Sequence, residues 1–272
     1  MISSDLRNRH TTAVEIRNNL EHVRNVNVSE RTVKRRLNEA NLRSRRPAIG
    51  PELSREHRVA RLQFAREHQN WNADDWSFVL FTDESRFCLR SPDSRERIWR
   101  REGERYAECT FSPRVSFQGG SVMVWAGISL EARTELYMVP RRSVTVGRHI
   151  NEILQHYVVP YAAFIGNNFI LIHDNARPHA ARIVTEYLNE VGISQMAWPA
   201  RSPDLNPIEH VWDMLGRRIL GRVAAPVTLD QLRVALLEEW EAIPQNEVIN
   251  LIDSMPRSMN AVIQARGGNT RY

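Results

Sequence analysis

Lysine is almost missing from this chain, Lys34 being the only one among 272 residues, so the 37 positive charges are carried by arginine almost throughout. Arginine's planar fork suits bidentate recognition of phosphate and guanine, although a genomic preference would produce the same choice. Cysteine is nearly absent too. Cys88 and Cys109 stand apart without metal-ligand spacing, which argues against a zinc ribbon or a disulfide framework and fits a reducing compartment. Apolar runs such as "YVVPYAAFI" fall far short of the roughly 20 residues that cross a bilayer, the first residues, "MISSDLRNRH", carry charge with no apolar stretch behind them, and no internal repeat is visible. With 42% hydrophobic and 25% charged residues, the composition is that of an ordinary soluble protein with one sizeable core and room for a small second module.

The charge is unevenly placed. Residues 1–70 hold fifteen Lys and Arg against eight Asp and Glu, a net of +7, and the remainder of the chain is at −2. Within that basic quarter, "TAVEIRNNLEHV" repeats apolar residues at helical spacing through Val14, Ile16, Leu20 and Val23, with Thr11 or Thr12 as a cap. A polar turn leads to Ser29, a good N-cap, and to "ERTVKRRLNEANL", which sets Val33, Leu37 and Ala40 on one face and Arg31, Lys34, Arg35 and Asn38 on the other. Two short helices with one apolar stripe and one basic face form the pattern of a helix-turn-helix, whose second helix enters the DNA major groove. An amphipathic helical pair with a solvated basic face fits the pattern equally. The following "RSRRPAIGPELS", with Arg43, Arg45 and Arg46 beside Pro47, reads as an extended tether able to track phosphates or serve as a nuclear-localisation patch. A helix from Ser54 then connects to the turn "NWNADDW".

Beyond Trp76 the expected order is strand, strand, strand, helix, strand, helix, strand, helix. "SFVLF" (77–81) is a short apolar strand ending at Thr82-Asp83, with a turn and "RFCLR" after it. "GGSVMVWAGIS" and "TELYMVP" read as a hairpin, "GRHINEILQHYVVPYAAFI" as a helix interrupted near Pro160, and "FILIH" as a strand leading to Asp174. Pro178 opens a helix, "SQMAWP" is the last strand, and "SPDLNPIEHVWDMLGRR" begins the helix after it. The pattern predicts an α/β domain with a mixed sheet. In that final stretch Asn206 is placed to cap the helix through its side chain, Pro207 suits the first helical position, and Glu209 falls where a capping box puts it.

Two strands that each deliver an aspartate at one sheet edge, Asp83 and Asp174, place carboxylates where open α/β sheets keep their ligands. Glu209, on the flank of the stripe Ile208, Val211, Trp212, Leu215 and Ile219, is positioned to join them. Three converging carboxylates stay ionised only beside a cation. Hard oxygen ligands favour Mg²⁺ or Mn²⁺, and two such ions suit phosphodiester chemistry. Glu84 points elsewhere if the strand continues, Asp204 and His210 lie off this set, and a zinc reading of His173 and His179 beside Asp174 is disfavoured.

"FTDESRF", "IHDNARPHAA" and "WPARSPDLNPIEHVWDMLGRR", in this order with 34 residues between Asp174 and Glu209, closely resemble the catalytic signatures of the Tc/mariner superfamily of DNA transposases. "WRREGERY" and "GGSVMVWAGIS" resemble the intervening segments. The resemblance implies a ribonuclease H-like catalytic domain over residues 76–272 in which Asp83, Asp174 and Glu209 bind two Mg²⁺ or Mn²⁺ ions. It implies a helix-turn-helix module over 1–46, a basic linker and connecting helix over 47–75, and a nuclear protein. Such an enzyme binds terminal inverted repeats in double-stranded DNA, excises its element and joins the 3′-hydroxyl ends to a TA target as a dimer or larger assembly. Members carry two helix-turn-helix subdomains, whereas this chain begins within what resembles the second, so the module is expected to be incomplete at its start. Two other readings compete. One is a transposase-derived DNA-binding protein without cleavage activity, and the other a glycosidase with two working carboxylates.

Overall fold

The computed structural model describes residues 12–40, 42, 51–89, 120–140, 145–174, 176 and 179–270, and the chain divides into two compact units, residues 1–50 and 51–272. In the first unit, α1 (Ala13–Arg24) starts at a capping box between Thr12 and Glu15. The next helix, α2 (Glu30–Glu39), starts where the Ser29 hydroxyl accepts the Thr32 N–H. Ile16, Leu20 and Val33 are its buried core, with Ala13, Val28 and Leu37 packed around them. Val14 and Val23, expected in the same stripe, are exposed, because a partner as short as α2 covers only a narrow strip of α1.

In the second unit, α3 (Arg55–His68) and α4 (Ala73–Ser77) precede the sheet. Strand β1 (Val79–Cys88) pairs antiparallel with β2 (Ser121–Ile128), which pairs antiparallel with β3 (Tyr137–Val139). On its other side β1 pairs in parallel with β4 (Ile170–Ile172), and β4 with β5 (Ser194–Gln195). The sheet order is β3-β2-β1-β4-β5, the mixed sheet that the alternation of elements predicts. Between β3 and β4 runs α5, composed of Val146–Arg148, a π-helical stretch His149–Val158 and Val159–Ile165. The expected break near Pro160 is a change of register rather than an end: the Val159 N–H bonds Leu154 five residues back, and the wide turn accepts a proline that has no N–H to offer. Further on, α6 (Arg182–Glu190), a short 3₁₀ turn Pro203–Leu205, α7 (Pro207–Gly221), α8 (Leu229–Glu241), α9 (Gln245–Asp253) and α10 (Met255–Gln264) complete the unit.

Both sheet faces are covered, which is why β1 begins as a continuous apolar run rather than an alternating one. Val79, Phe81, Val124 and Ile128 face a core filled from α3, α4, α7, α8, α9 and α10, while Leu80, Trp125 and Leu171 face α5 and α6. The connecting helix α3 therefore belongs to the larger unit rather than to a linker. It buries Phe64 and Ala65, and Arg61 is fully buried with its guanidinium bonding both Asp204 oxygens at 2.7 Å and the Gly267 and Gly268 carbonyls at 3.0 Å. A basic helix face looks solvated in sequence. Here one arginine is inside because a carboxylate and two carbonyls receive it.

Candidate active site

The expected turn after Asp83 does not form. Strand β1 is one ten-residue strand, and the change at Asp83 is in its neighbours: β4 flanks only Val79–Phe81, whereas β2 continues alongside to Cys88. Asp83 thus sits where the sheet narrows beyond β4, and Asp174 follows the end of β4 by two residues. Thr82 stitches the two strands by donating its hydroxyl to the Ile172 carbonyl at 2.7 Å.

Glu209 comes in on the first turn of α7. Pro207 occupies the start of that helix as predicted, but the capping box does not form: the Asn206 side chain makes no capping bond. Its amide N–H instead donates to the Thr82 carbonyl at 3.4 Å, and its side-chain oxygen is buried without a hydrogen-bond partner among the described residues. The side chain pins the helix start to the strand next to Asp83. The buried Asn206 side chain is thereby diverted from the first amides of the helix, of which the Glu209 N–H bonds the Asn206 carbonyl at 3.1 Å instead. On the next turn the Trp212 indole N–H donates to Asp83 Oδ2 at 3.0 Å, a contact that its reading as a packing residue missed.

The three acids are in different electrostatic states. Burial first, then the charges of Glu209, Glu84 and Asp174 against the single bond from Trp212, push Asp83 up to about 8. Glu209 is raised by burial and by Asp174. Asp174, which is exposed, is held below the usual carboxylate range: partial burial works upward, but His179 and the Ala176 N–H at 2.9 Å outweigh it. Glu84 points away from Asp83 as the continuing strand requires, yet is not idle. His179 Nδ1 lies 2.6 Å from Asp174 Oδ1 and its Nε2 lies 3.2 Å from Glu84 Oε1. Burial opposes charge on that ring, but the two carboxylates prevail and raise it to about 10. Behind it, burial and the neighbouring histidines drive His149 down to about 3. No sequence spacing links His149 to this site. His173 is bonded to the Asp174 carbonyl and to Gln195, Asp204 belongs to Arg61, and His210 is exposed. Pro178 and the other residues between Ala176 and His179 lie outside the described set, and the following helix begins at Arg182 rather than at Pro178.

Among the expected DNA-contacting residues, Arg31, Lys34, Arg35 and Asn38 are all exposed on α2. Lys34 pairs with Glu30, and Arg35 lies 3.7 Å from Glu39. Arg43, Arg45 and Arg46 lie outside the described residues, as do "WRREGERY" and Cys109.

A family profile described as "Transposase" matches residues 5–70, and one described as "DDE superfamily endonuclease" matches residues 78–233. The chain is 36% identical over 258 residues to the transposable element Tcb2 transposase of Caenorhabditis briggsae, covering 91% of this chain and 89% of that protein. It is 35% identical over 266 residues to the Tc1 transposase of Caenorhabditis elegans, covering 97% and 95%. In three dimensions it is similar to the crystal structure of the mariner Mos1 paired end complex with Mg, with a TM-score of 0.78 and 18% identity, over 99% of this chain and 78% of that one. The larger unit has the ribonuclease H-like fold, the first carries the helix-turn-helix, and the chain belongs to the Tc/mariner superfamily of DDE transposases.

Proposed function

We propose that Asp83, Asp174 and Glu209 are the metal-binding triad of this transposase and hold two Mg²⁺ or Mn²⁺ ions during cut-and-paste transposition. The observation that carries this reading is electrostatic. Burial, reinforced by the mutual repulsion of acids from β1, the loop after β4 and α7, raises Asp83 to about 8 and raises Glu209 as well, so the set is short of positive charge and offers only hard oxygen donors, the chemistry that suits these cations. When bound, the ions activate the attacking oxygen and stabilise the leaving one in phosphodiester cleavage and transfer. The chain's own residues supply placement. Trp212 holds one oxygen of Asp83, His179 holds one of Asp174, and Asn206 fixes the start of the helix that carries Glu209.

The exposed face of α2, with Arg31, Lys34, Arg35 and Asn38, is assigned to the terminal inverted repeats, together with Arg43, Arg45 and Arg46. The 3′-hydroxyl ends are joined to a TA target by a homodimer or higher assembly, in the nucleus. The Mos1 paired end complexes with Mg and with Mn support extending divalent metal and paired DNA ends to this relative. Incubation of the full chain with Mn²⁺ and a cognate inverted-repeat duplex is expected to give nicks that Asp174→Asn abolishes. Equal nicking by that variant would overturn the triad. Selective DNA binding with no strand breakage in any metal would instead favour the non-cleaving reading.

A further inference from the structure

On the opposite face of β1 from Asp83 a second group of side chains converges. Successive strand residues point to opposite faces, so Glu84 is turned away from the triad and toward His149 of α5 and His179 of the turn after Asp174. One ligand atom from each of Glu84, His149 and His179 lies within 4.8 Å of the others, the one such trio among the described residues. His149 is 2% exposed, and among the described residues neither of its ring nitrogens has a hydrogen-bond partner. A buried polar group left unpaired costs on the order of 1–3 kcal/mol, so this ring needs a reason to be there. Its ring centroid is 4.3 Å from that of His179. His179 in turn presents Nε2 to this group while its Nδ1 is bonded to Asp174. A carboxylate on the far nitrogen is one of the supports, with a carbonyl or a water, that ligating histidines almost always have.

We propose that Glu84, His149 and His179 form a Zn²⁺ site separate from the carboxylate triad. Two imidazoles and one carboxylate suit borderline-soft Zn²⁺ and leave a fourth position open, whereas Mg²⁺ prefers oxygen alone. Two ligands on one ion stand at most about 4.4 Å apart with bonds of about 2.2 Å, so closure takes small side-chain adjustments. A groove of about 650 Å³ lined by Gln63, Phe64, His173, His179, Gln195 and Trp198 leads to His179. The ion takes the place of the proton between His179 Nε2 and Glu84, and that proton leaves to solvent. Its effect is to tie β1, α5 and the turn after β4 together and to fix the His179 N–H on Asp174. The site rests on its own residues and stands whether or not the triad holds metal as proposed.

The test is Co²⁺ binding to the full chain with Mg²⁺ in excess to fill the hard oxygen positions, followed by the visible absorption of four-coordinate Co²⁺ and its displacement by Zn²⁺. The expected result is about one Co²⁺ per chain with a Zn²⁺-reversible band. His149→Phe and Glu84→Gln should each weaken binding by about tenfold or more, and Asp83→Asn should leave it unchanged. Absence of the band in the parent overturns the site. So does a band that survives both ligand substitutions, or one that Asp83→Asn removes. Should His149→Phe fail to fold, Glu84→Gln, close in shape and partly exposed, decides by itself, with circular dichroism matching the parent as its control.

Discussion

Trp212 shows how much a single side chain adds at the residue scale. Its ring packs in the larger core while its N–H reaches Asp83 Oδ2, so packing and positioning can be separated. Trp212→Phe keeps most of the apolar area and loses the bond. The expected outcome is a rise of roughly tenfold to a hundredfold in the Mn²⁺ concentration needed for half-maximal nicking, with thermal stability little changed. An unchanged Mn²⁺ requirement would make Trp212 a packing residue only. Asp83 offers a second measurement, on metal-free protein. Its folded pKa of about 8 is above its ordinary 3.8, so the folded state binds the proton more tightly. Its contribution to stability is therefore full below the ordinary value and is lost as pH rises through about 8. Asp83→Asn cannot titrate. Urea unfolding from about pH 5 to about pH 9 should show the parent losing stability relative to the variant by on the order of a few kcal/mol, and parallel curves would rule this out.

At the scale of elements, α3 docks through Phe64, Ala65 and a buried ion pair, and β1 packs against a small neighbour on β2. Arg61→Ala leaves Asp204 in a partly buried site where, among the described residues, only Thr270 satisfies it. Loss of one partner from such a pair costs about 3–5 kcal/mol, to be read as a lowered denaturation midpoint. Asp204 is held below its ordinary range because Arg61 and Thr270 outweigh burial. Its contribution is thus present above that range and disappears as pH falls through the folded value, so the Arg61→Ala deficit should shrink in acid. Gly127 of β2 lies opposite Thr82, where an added Cβ would meet Leu80 Cδ1 at 2.9 Å and Thr82 Cγ2 at 3.1 Å. Gly127→Ala is expected to cost about 1–3 kcal/mol by overpacking and, by displacing the strand beside Asp83, to lower nicking as well. Wild-type stability in that variant would show that the strand yields freely. The same scale exposes the error about the strand after Asp83: the polar Glu84-Ser85 reads as a turn, but β2 supplies a ladder past it to Cys88, and backbone pairing does not depend on side-chain polarity.

Across the whole molecule the charge asymmetry makes a prediction about salt. The basic quarter should dominate DNA affinity, each phosphate contact contributing about −0.9 to the slope of log affinity against log salt for a duplex. Arg31 is exposed with no ion-pair partner among the described residues, while Lys34 is paired with Glu30. Arg31→Ala should therefore reduce the slope by about one, and Lys34→Ala by less, in titrations of a labelled inverted-repeat duplex at several salt concentrations. Equal effects would show that the Glu30 pair opens on DNA at no cost.

The sequence by itself determined the alternation of strands and helices as far as α7, the buried stripe of α7, the basic face of α2 and the three candidate acids. Each of these depends on local periodicity, on turn chemistry, or on motifs whose spacing survives without coordinates. Only the tertiary structure decided what surrounds those acids. Asn206 turned from its helix end to Thr82 because its burial left no solvent-facing role, Trp212 reached Asp83, Arg61 went inside to meet Asp204, and His149 arrived beside Glu84 and His179 from a helix with no motif of its own. These are contacts between residues far apart in the chain. Burial decides them by removing water as the alternative partner, and no local pattern encodes which distant group will be there in its place.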